Sequence, residues 1–154
     1  MRLSDILTEE RVTVSLRADE KSAVLDALAG LLARGADGLS VEAIAKVLKD
    51  REQLASTGVG DEVAIPHGRV PGLQRVVAAV ALCVDGLPFD AIDGRPVKIL
   101  VAILAPDRAP GDQLRALAKV SRLLRDRRVR ERILATRSAA ELLGVFQDEE
   151  LSQP

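Results

Sequence analysis

Residues 97–105, "VKILVAILA", form a nearly continuous apolar run rich in Val and Ile, and residues 76–84, "VVAAVALCV", form a second. Runs of this length and β-branched content fit central strands buried on both faces. They put a sheet in the middle of the chain. Ahead of them, residues 19–34, "DEKSAVLDALAGLLAR", carry Val24, Leu25, Leu28, Leu31 and Leu32 at helical spacing, with Gly35 as a stop. Residues 41–50 repeat that period through Val41, Ile44, Val47 and Leu48, with Ser40 as N-cap and an end expected near Arg51-Glu52. "VTVSL", 12–16, alternates and reads as a further strand. Asp85-Gly86 and Asp93-Gly94 punctuate the connection between the two long strands. From 112 the helical period returns, with Leu114, Leu117, Ala118 and Leu124 on one face. A last helix opens on the capping box Ser138-Ala-Ala-Glu141 and buries Leu142, Leu143 and Phe146. Helices therefore flank a set of strands at both ends of the chain, which predicts a layered α/β (α+β) domain. One domain is expected over residues 1–151, with a disordered tail over 152–154.

Composition narrows the function. The chain has 154 residues, 47% hydrophobic and 29% charged, the balance of a soluble globular domain. Two phenylalanines are its whole aromatic content, so the core must be aliphatic and base-stacking platforms are lacking. The net charge of −1 supplies no basic footprint for nucleic acid. One local exception is "RLLRDRRVRERILATR", residues 122–137, which reads as a solvated helix face with snorkelling arginines or as a docking surface for an acidic partner. A single cysteine, Cys83, excludes an internal disulfide and suits a small buried hydrophobe. One Cys and one His cannot assemble a zinc site of the usual four-ligand kind. The opening "MRLSDILTEER" has no apolar signal region, and the longest apolar run is far short of the ~20 residues that span a bilayer. The expectation is a cytoplasmic protein with no membrane insertion.

The only histidine is His67, within "DREQLASTGVGDEVAIPHGRV", residues 50–70. A lone histidine ordinarily fills a core gap or faces solvent. Here it lies between Pro66, which fixes one flank, and Gly68, which allows close approach on the other. Val63-Ala64-Ile65 reads as a short strand stopped by Pro66, and Ser56 to Gly60 as a glycine loop. No dinucleotide fingerprint, P-loop or nucleophile elbow is present. What fits is an imidazole displayed on a rigid loop among anion donors. These are the N–H groups of the loop bearing Gly58 and Gly60, the hydroxyls of Ser56 and Thr57, and the guanidinium groups of Arg51 or Arg69. With donors for phosphate and no metal ligands, the imidazole itself is expected to carry a phosphoryl group.

The stretch "REQLASTGVGDEVAIPHG", 51–68, resembles the active-site signature of the enzyme IIA proteins of the fructose/mannitol and nitrogen-regulatory class of the bacterial phosphotransferase system. "RLSDILTEERVTVSL", 2–16, is similar to the opening of the nitrogen-regulatory members, and "FDAIDGRPVKILVAILAP", 89–106, resembles the family's strand and following proline. The resemblance implies a mixed sheet with helices on both sides. It implies that His67 accepts a phosphoryl group from the phosphohistidine of a small carrier, the phosphocarrier protein HPr or its nitrogen-type homologue. It implies a donation onward to a IIB domain, or a mark read by a regulated target. By the same resemblance Arg51 is the active-site arginine, and Ser56, Thr57 and Gly68 line the pocket. The resemblance implies no metal, and no cofactor is expected.

One position departs from the family pattern. A second active-site histidine usually opens the helix after the last long strand, and lining up "LAPDRAPGDQLRALAKVSRLL", 104–124, puts Gln113 there. Glutamine donates a hydrogen bond but carries no charge. The first reading is a phosphotransfer protein of the nitrogen-regulatory kind, with no transporter segment or IIB domain in the chain. The alternative, supported by Gln113, is a non-transferring regulatory module that binds partner proteins. The third is an unrelated α/β domain with a structural His67.

Overall fold

The computed structural model describes residues 1–153. Its elements run α1 (Leu3–Ile6), a 3₁₀ turn (Glu9–Arg11), β1 (Val12–Thr13), α2 (Lys21–Ala33), α3 (Val41–Leu54), β2 (Gly58–Gly60), β3 (Val63–Ala64), β4 (His67–Val70), β5 (Val77–Leu87), β6 (Val97–Pro106), α4 (Pro110–Leu124), α5 (Arg127–Leu134) and α6 (Ala139–Leu151). The two apolar runs are the central antiparallel pair, β5 and β6. The sheet order is β1-β5-β6-β3-β2, with β4 also on β6. β1 joins β5 in parallel, β3 and β4 join β6 in parallel, and β2 joins β3 antiparallel. The sheet is mixed, as expected.

Side chains alternate across a strand, so each long run feeds two cores. Ala78, Val80 and Leu82 with Ile99, Val101 and Ile103 face a core closed by α4, α5 and α6. Val77, Ala79 and Ala81 with Leu100, Ala102 and Leu104 face α2 and α3. Alanines dominate the β5 side of this second face, which suits close packing of α2 and α3 on the sheet. Most of these strand residues are fully buried. A fully buried Val, Leu or Ile side chain contributes about 1.5–3 kcal/mol, so the pair is a major contributor to both cores.

Local signals act as read at two caps. The Ser40 hydroxyl accepts from the Ala43 N–H at 3.1 Å, and Ser138 accepts from Glu141 at 3.1 Å. The Glu141 carboxylate returns one residue earlier than the capping box requires, accepting from Arg137 N–H at 2.9 Å. Several expectations need correction: β1 covers only Val12–Thr13 of the 12–16 stretch, Val41 is exposed and Leu143 is only partly buried. α3 runs on to Leu54. Asp85-Gly86 lies inside β5, where the register shifts between Leu82 and Leu87; the strand absorbs the pair as an irregularity instead of ending there. Leu114 is 69% exposed, and α4 turns Ala116, Val120, Leu123 and Leu124 to the core instead, because the sheet and α5 set its phase. As for the tail, Ser152 and Gln153 donate their N–H groups to the Asp148 and Glu150 carbonyls, while Pro154 lies outside the described residues.

The arginine-rich segment spans the end of α4 and α5, and most of its arginines are exposed, as a solvated helix face requires, while Arg128 and Arg132 also reach back to the core edge. Arg128 and Arg132 converge on Glu149 of α6, which is 3% exposed, with N–O distances of 2.8, 2.8 and 2.6 Å. Arg130 caps α4 by donating to the Leu124 and Arg125 carbonyls. The arginine hydrogen bonds, Arg128 foremost, hold the Glu149 carboxyl down from 4.5 to about 2. A depressed carboxylate stabilises the fold above its ordinary value and loses that contribution as pH falls through the folded one. Glu149→Gln is therefore expected to lower stability at pH 7 by about 1–3 kcal/mol. Denaturant unfolding should show the gap to wild type closing as pH falls from 4.5 toward 2.

Candidate functional site

β3, Ile65, Pro66 and β4 run along β6 without losing register: Val63 pairs with Ile99, Ala64 with Leu100 and His67 with Ile103. Pro66 interrupts the ladder only as a missing donor, and its carbonyl still accepts from Ile103 N–H at 2.9 Å. His67 is thus the first residue of a strand, which corrects the expectation of a loop; the free side of β6 recruits it. The register decides which way it faces. Ile103 belongs to the α4-side core, so His67 shares that side. Gly68, opposite Leu104, faces α3, where a Cβ would collide with the Val47 side chain. Glycine here lets α3 close on the strand.

The result is an open cleft of about 640 Å³. β4 supplies His67, Gly68 and Arg69, the last two turns of α3 supply Asp50, Arg51 and Leu54, and Gln113 comes from the first turn of α4. Asp107, just beyond β6, completes the wall. Arg51 and Gln113, distant in sequence, therefore share a cleft with His67.

His67 is half-buried, and its Nδ1 lies 2.7 Å from the Ile65 carbonyl oxygen. A carbonyl only accepts, so in the neutral ring the proton is on Nδ1 and the Nε2 lone pair is free. Burial pushes the imidazole pKa below its ordinary 6.5, the Arg51 charge adds to this, and the Ile65 bond and the Glu52 charge oppose it. At neutral pH the ring is a neutral nucleophile. Arg51 donates to the Ala55 carbonyl at 2.9 Å, which leaves other guanidinium N–H groups for an anion.

Ser56, Thr57, Gly58 and Gly60 are corrected: they build the wall behind the site and do not line the cleft. The Ser56 hydroxyl donates to the Phe89 carbonyl at 2.7 Å and accepts from Gly58 N–H. Thr57 is 4% exposed and its hydroxyl donates to Glu52. Gly58 and Gly60 belong to strand β2, where the 88–96 segment packs so close that a Cβ on Gly58 would sit 2.8 Å from Ala91 Cα. Gly60, with φ +95°, opens onto a separate pocket with Val59, Ser121 and Arg125. The sequence reading missed Glu52, Asp50 and Asp107. Glu52 had a signal: an acid in the last turn of a helix opposes the macrodipole and needs a reason to be there.

This arrangement, a mixed sheet displaying one nucleophilic imidazole beside an arginine, agrees with a model of the family described as "Phosphoenolpyruvate-dependent sugar phosphotransferase system, EIIA 2", which matches residues 5–149. The chain belongs to that family. It is 35% identical over 146 residues to a nitrogen regulatory protein of Bradyrhizobium diazoefficiens, covering 95% of each chain. It is 35% identical to a nitrogen regulatory protein of Pseudomonas aeruginosa, covering 96% of each. The crystal structure of nitrogen regulatory protein IIA-Ntr from Neisseria meningitidis superposes with a TM-score of 0.88 at 30% identity, covering 94% of this chain and 98% of that one. Among EIIA proteins, this chain is therefore most like the nitrogen-regulatory members.

Proposed function

We propose that this domain, residues 1–151, is a phosphoryl carrier that accepts its group on His67 Nε2. The observation that carries the reading is the Nδ1 bond to Ile65, which leaves the other ring nitrogen unprotonated in a cleft shared with Arg51. The donor is the phosphohistidine of an HPr-like carrier or its nitrogen-type homologue. The Nε2 lone pair bonds to phosphorus as the carrier's N–P bond breaks, and that bond's electron pair returns to the carrier's ring nitrogen. The proton stays on Nδ1 throughout, donated to the Ile65 carbonyl. Arg51 and the Gln113 amide receive the phosphoryl oxygens, and Arg69 adds positive charge at the rim. Positioning and charge stabilisation suffice, because the donor is already a reactive phosphoramidate. The group then serves as a regulatory mark for a target protein or passes to a IIB domain. The work is cytoplasmic, where such carriers operate. No helix among the described residues is long and apolar enough to cross a membrane.

Incubation with phosphoenolpyruvate, enzyme I and the phosphocarrier tests this. Mass spectrometry should find one acid-labile phosphate, on His67. Phosphate on a serine or threonine would overturn the mechanism, and no uptake would favour the non-transferring interaction module.

Gln113 is the observation that keeps that second reading open, since it is neutral where an imidazole is the family pattern. A phosphoryl group brings roughly −1.5 to −2 charges near neutral pH. Gln113→His is expected to shift the equilibrium with the carrier toward phospho-His67. The shift should grow below about pH 6.5, where an exposed imidazole gains its charge. Quantifying both phosphoproteins at pH 6 and pH 8 checks it; an equilibrium unmoved at both pH values would count against Gln113 facing the phosphoryl group.

A further inference from the structure

We infer that Glu52 is the positioning residue of this site: its buried carboxylate holds the turn from α3 to β2 in the shape that presents Arg51 to the His67 cleft. The inference rests on the reading of His67 as phosphoryl acceptor. Glu52 is 7% exposed at the C-terminal end of α3, and its donors come from two other segments. Lys21, the first residue of α2, donates at 2.9 Å; the Thr57 N–H donates at 3.0 and 3.1 Å to the two carboxylate oxygens, and the Thr57 hydroxyl donates as well. Lys21 is itself fixed, paired with Asp90 at 3.1 Å and seated 4.8 Å over the Phe89 ring. The carboxylate therefore ties α2, the end of α3 and the 89–90 segment to the start of β2.

The link to the chemistry is local. Glu52 and Thr57 pin the two ends of a short turn, and Ala55 lies inside it. The Ala55 carbonyl is the group that receives Arg51. Arg51 and Glu52 are adjacent on α3, so they project in different directions, Arg51 into the cleft and Glu52 into the wall behind it. Glu52 does not line the cleft and is not a catalytic residue. Without its charge, the Thr57 donors and Lys21 lose their shared acceptor together, the turn relaxes, and the Ala55 anchor of Arg51 moves. Displacements of about 1 Å at such a group cost on the order of 10² in rate.

The test is a double-mutant cycle on single-turnover transfer from the phosphorylated carrier. Glu52→Gln is expected to lower the rate at saturating carrier by roughly 10–10²-fold with little change in half-saturation. In an Arg51→Ala background the same change should add almost nothing, because residues acting as a unit are non-additive. Equal slowing in both backgrounds would overturn the inference, leaving Glu52 a general structural residue. The Arg51 Nε–H resonance of the unphosphorylated protein gives an independent arm: it should shift or broaden in Glu52→Gln, and an unchanged signal overturns the inference. If Glu52→Gln fails to fold, Thr57→Val removes one donor with the shape kept, and Thr57→Ser should restore the rate. Should the wild-type protein take up no phosphoryl group, the reading of His67 fails by itself, and the resonance arm still decides the role of Glu52.

Discussion

His67→Ala is expected to abolish phosphoryl uptake and leave a folded protein. The chain has no second histidine to take over the nucleophile's role. The structural loss is the Nδ1 bond to the Ile65 carbonyl and part of one half-buried ring. A hydrogen bond of that kind contributes about 1 kcal/mol, small beside the 5–15 kcal/mol typical of a domain. Uptake and thermal unfolding should therefore separate cleanly, and phosphate retained in the variant would remove His67 from the mechanism. The same reasoning sets the pH dependence in wild type. Acceptance needs the neutral ring, and burial holds the His67 pKa below 6.5. The half-maximal rate should therefore lie below pH 6.5. A half-maximal point above 6.5 would mean that the acceptor is not this desolvated imidazole.

Arg51→Ala is expected to slow transfer by about 10²–10³ with a much smaller effect on stability. The guanidinium donates to the Ala55 carbonyl at 2.9 Å and otherwise lines an open cleft, so little packing is lost. Its charge matters most when the phosphoryl group is between the two histidines and negative charge is spread over three oxygens. Arg51→Lys should fall between, because an ammonium keeps the charge and lacks the planar fork that holds two oxygens at once. Single-turnover rates compared with melting temperatures test this. A loss confined to stability, or equal in both, would make Arg51 a structural residue.

Much of the fold was legible locally. β5 and β6 stand where Val- and Ile-rich runs stand, and α2 lies within a residue or two of its apolar spacing. Other elements were not legible. "HGRV" has no strand composition, yet it pairs with 103–106 because β6 offers a free side and β3 carries the register in. Gly58–Gly60 reads as a loop and is a strand, because it pairs antiparallel with β3, and Ala91 packs so close to Gly58 that no side chain fits there. Arg11 carries no sequence signal that singles it out. It is 7% exposed, donating to the nearby Ile6 carbonyl and to the Ala78 carbonyl of β5, a partner far from it in sequence.

The sequence by itself determined that the chain has a single imidazole and where the two central strands run, because residue identity and short-range period are local properties. Tertiary structure alone decided that His67 faces α4 and that Arg51 and Gln113 meet it in one cleft. It also decided that Ser56 and Thr57 are spent on Phe89 and Glu52. The physical reason is that a polar side chain's partner is chosen by whichever long-range packing brings a donor or acceptor within about 3 Å, and no local period records that choice.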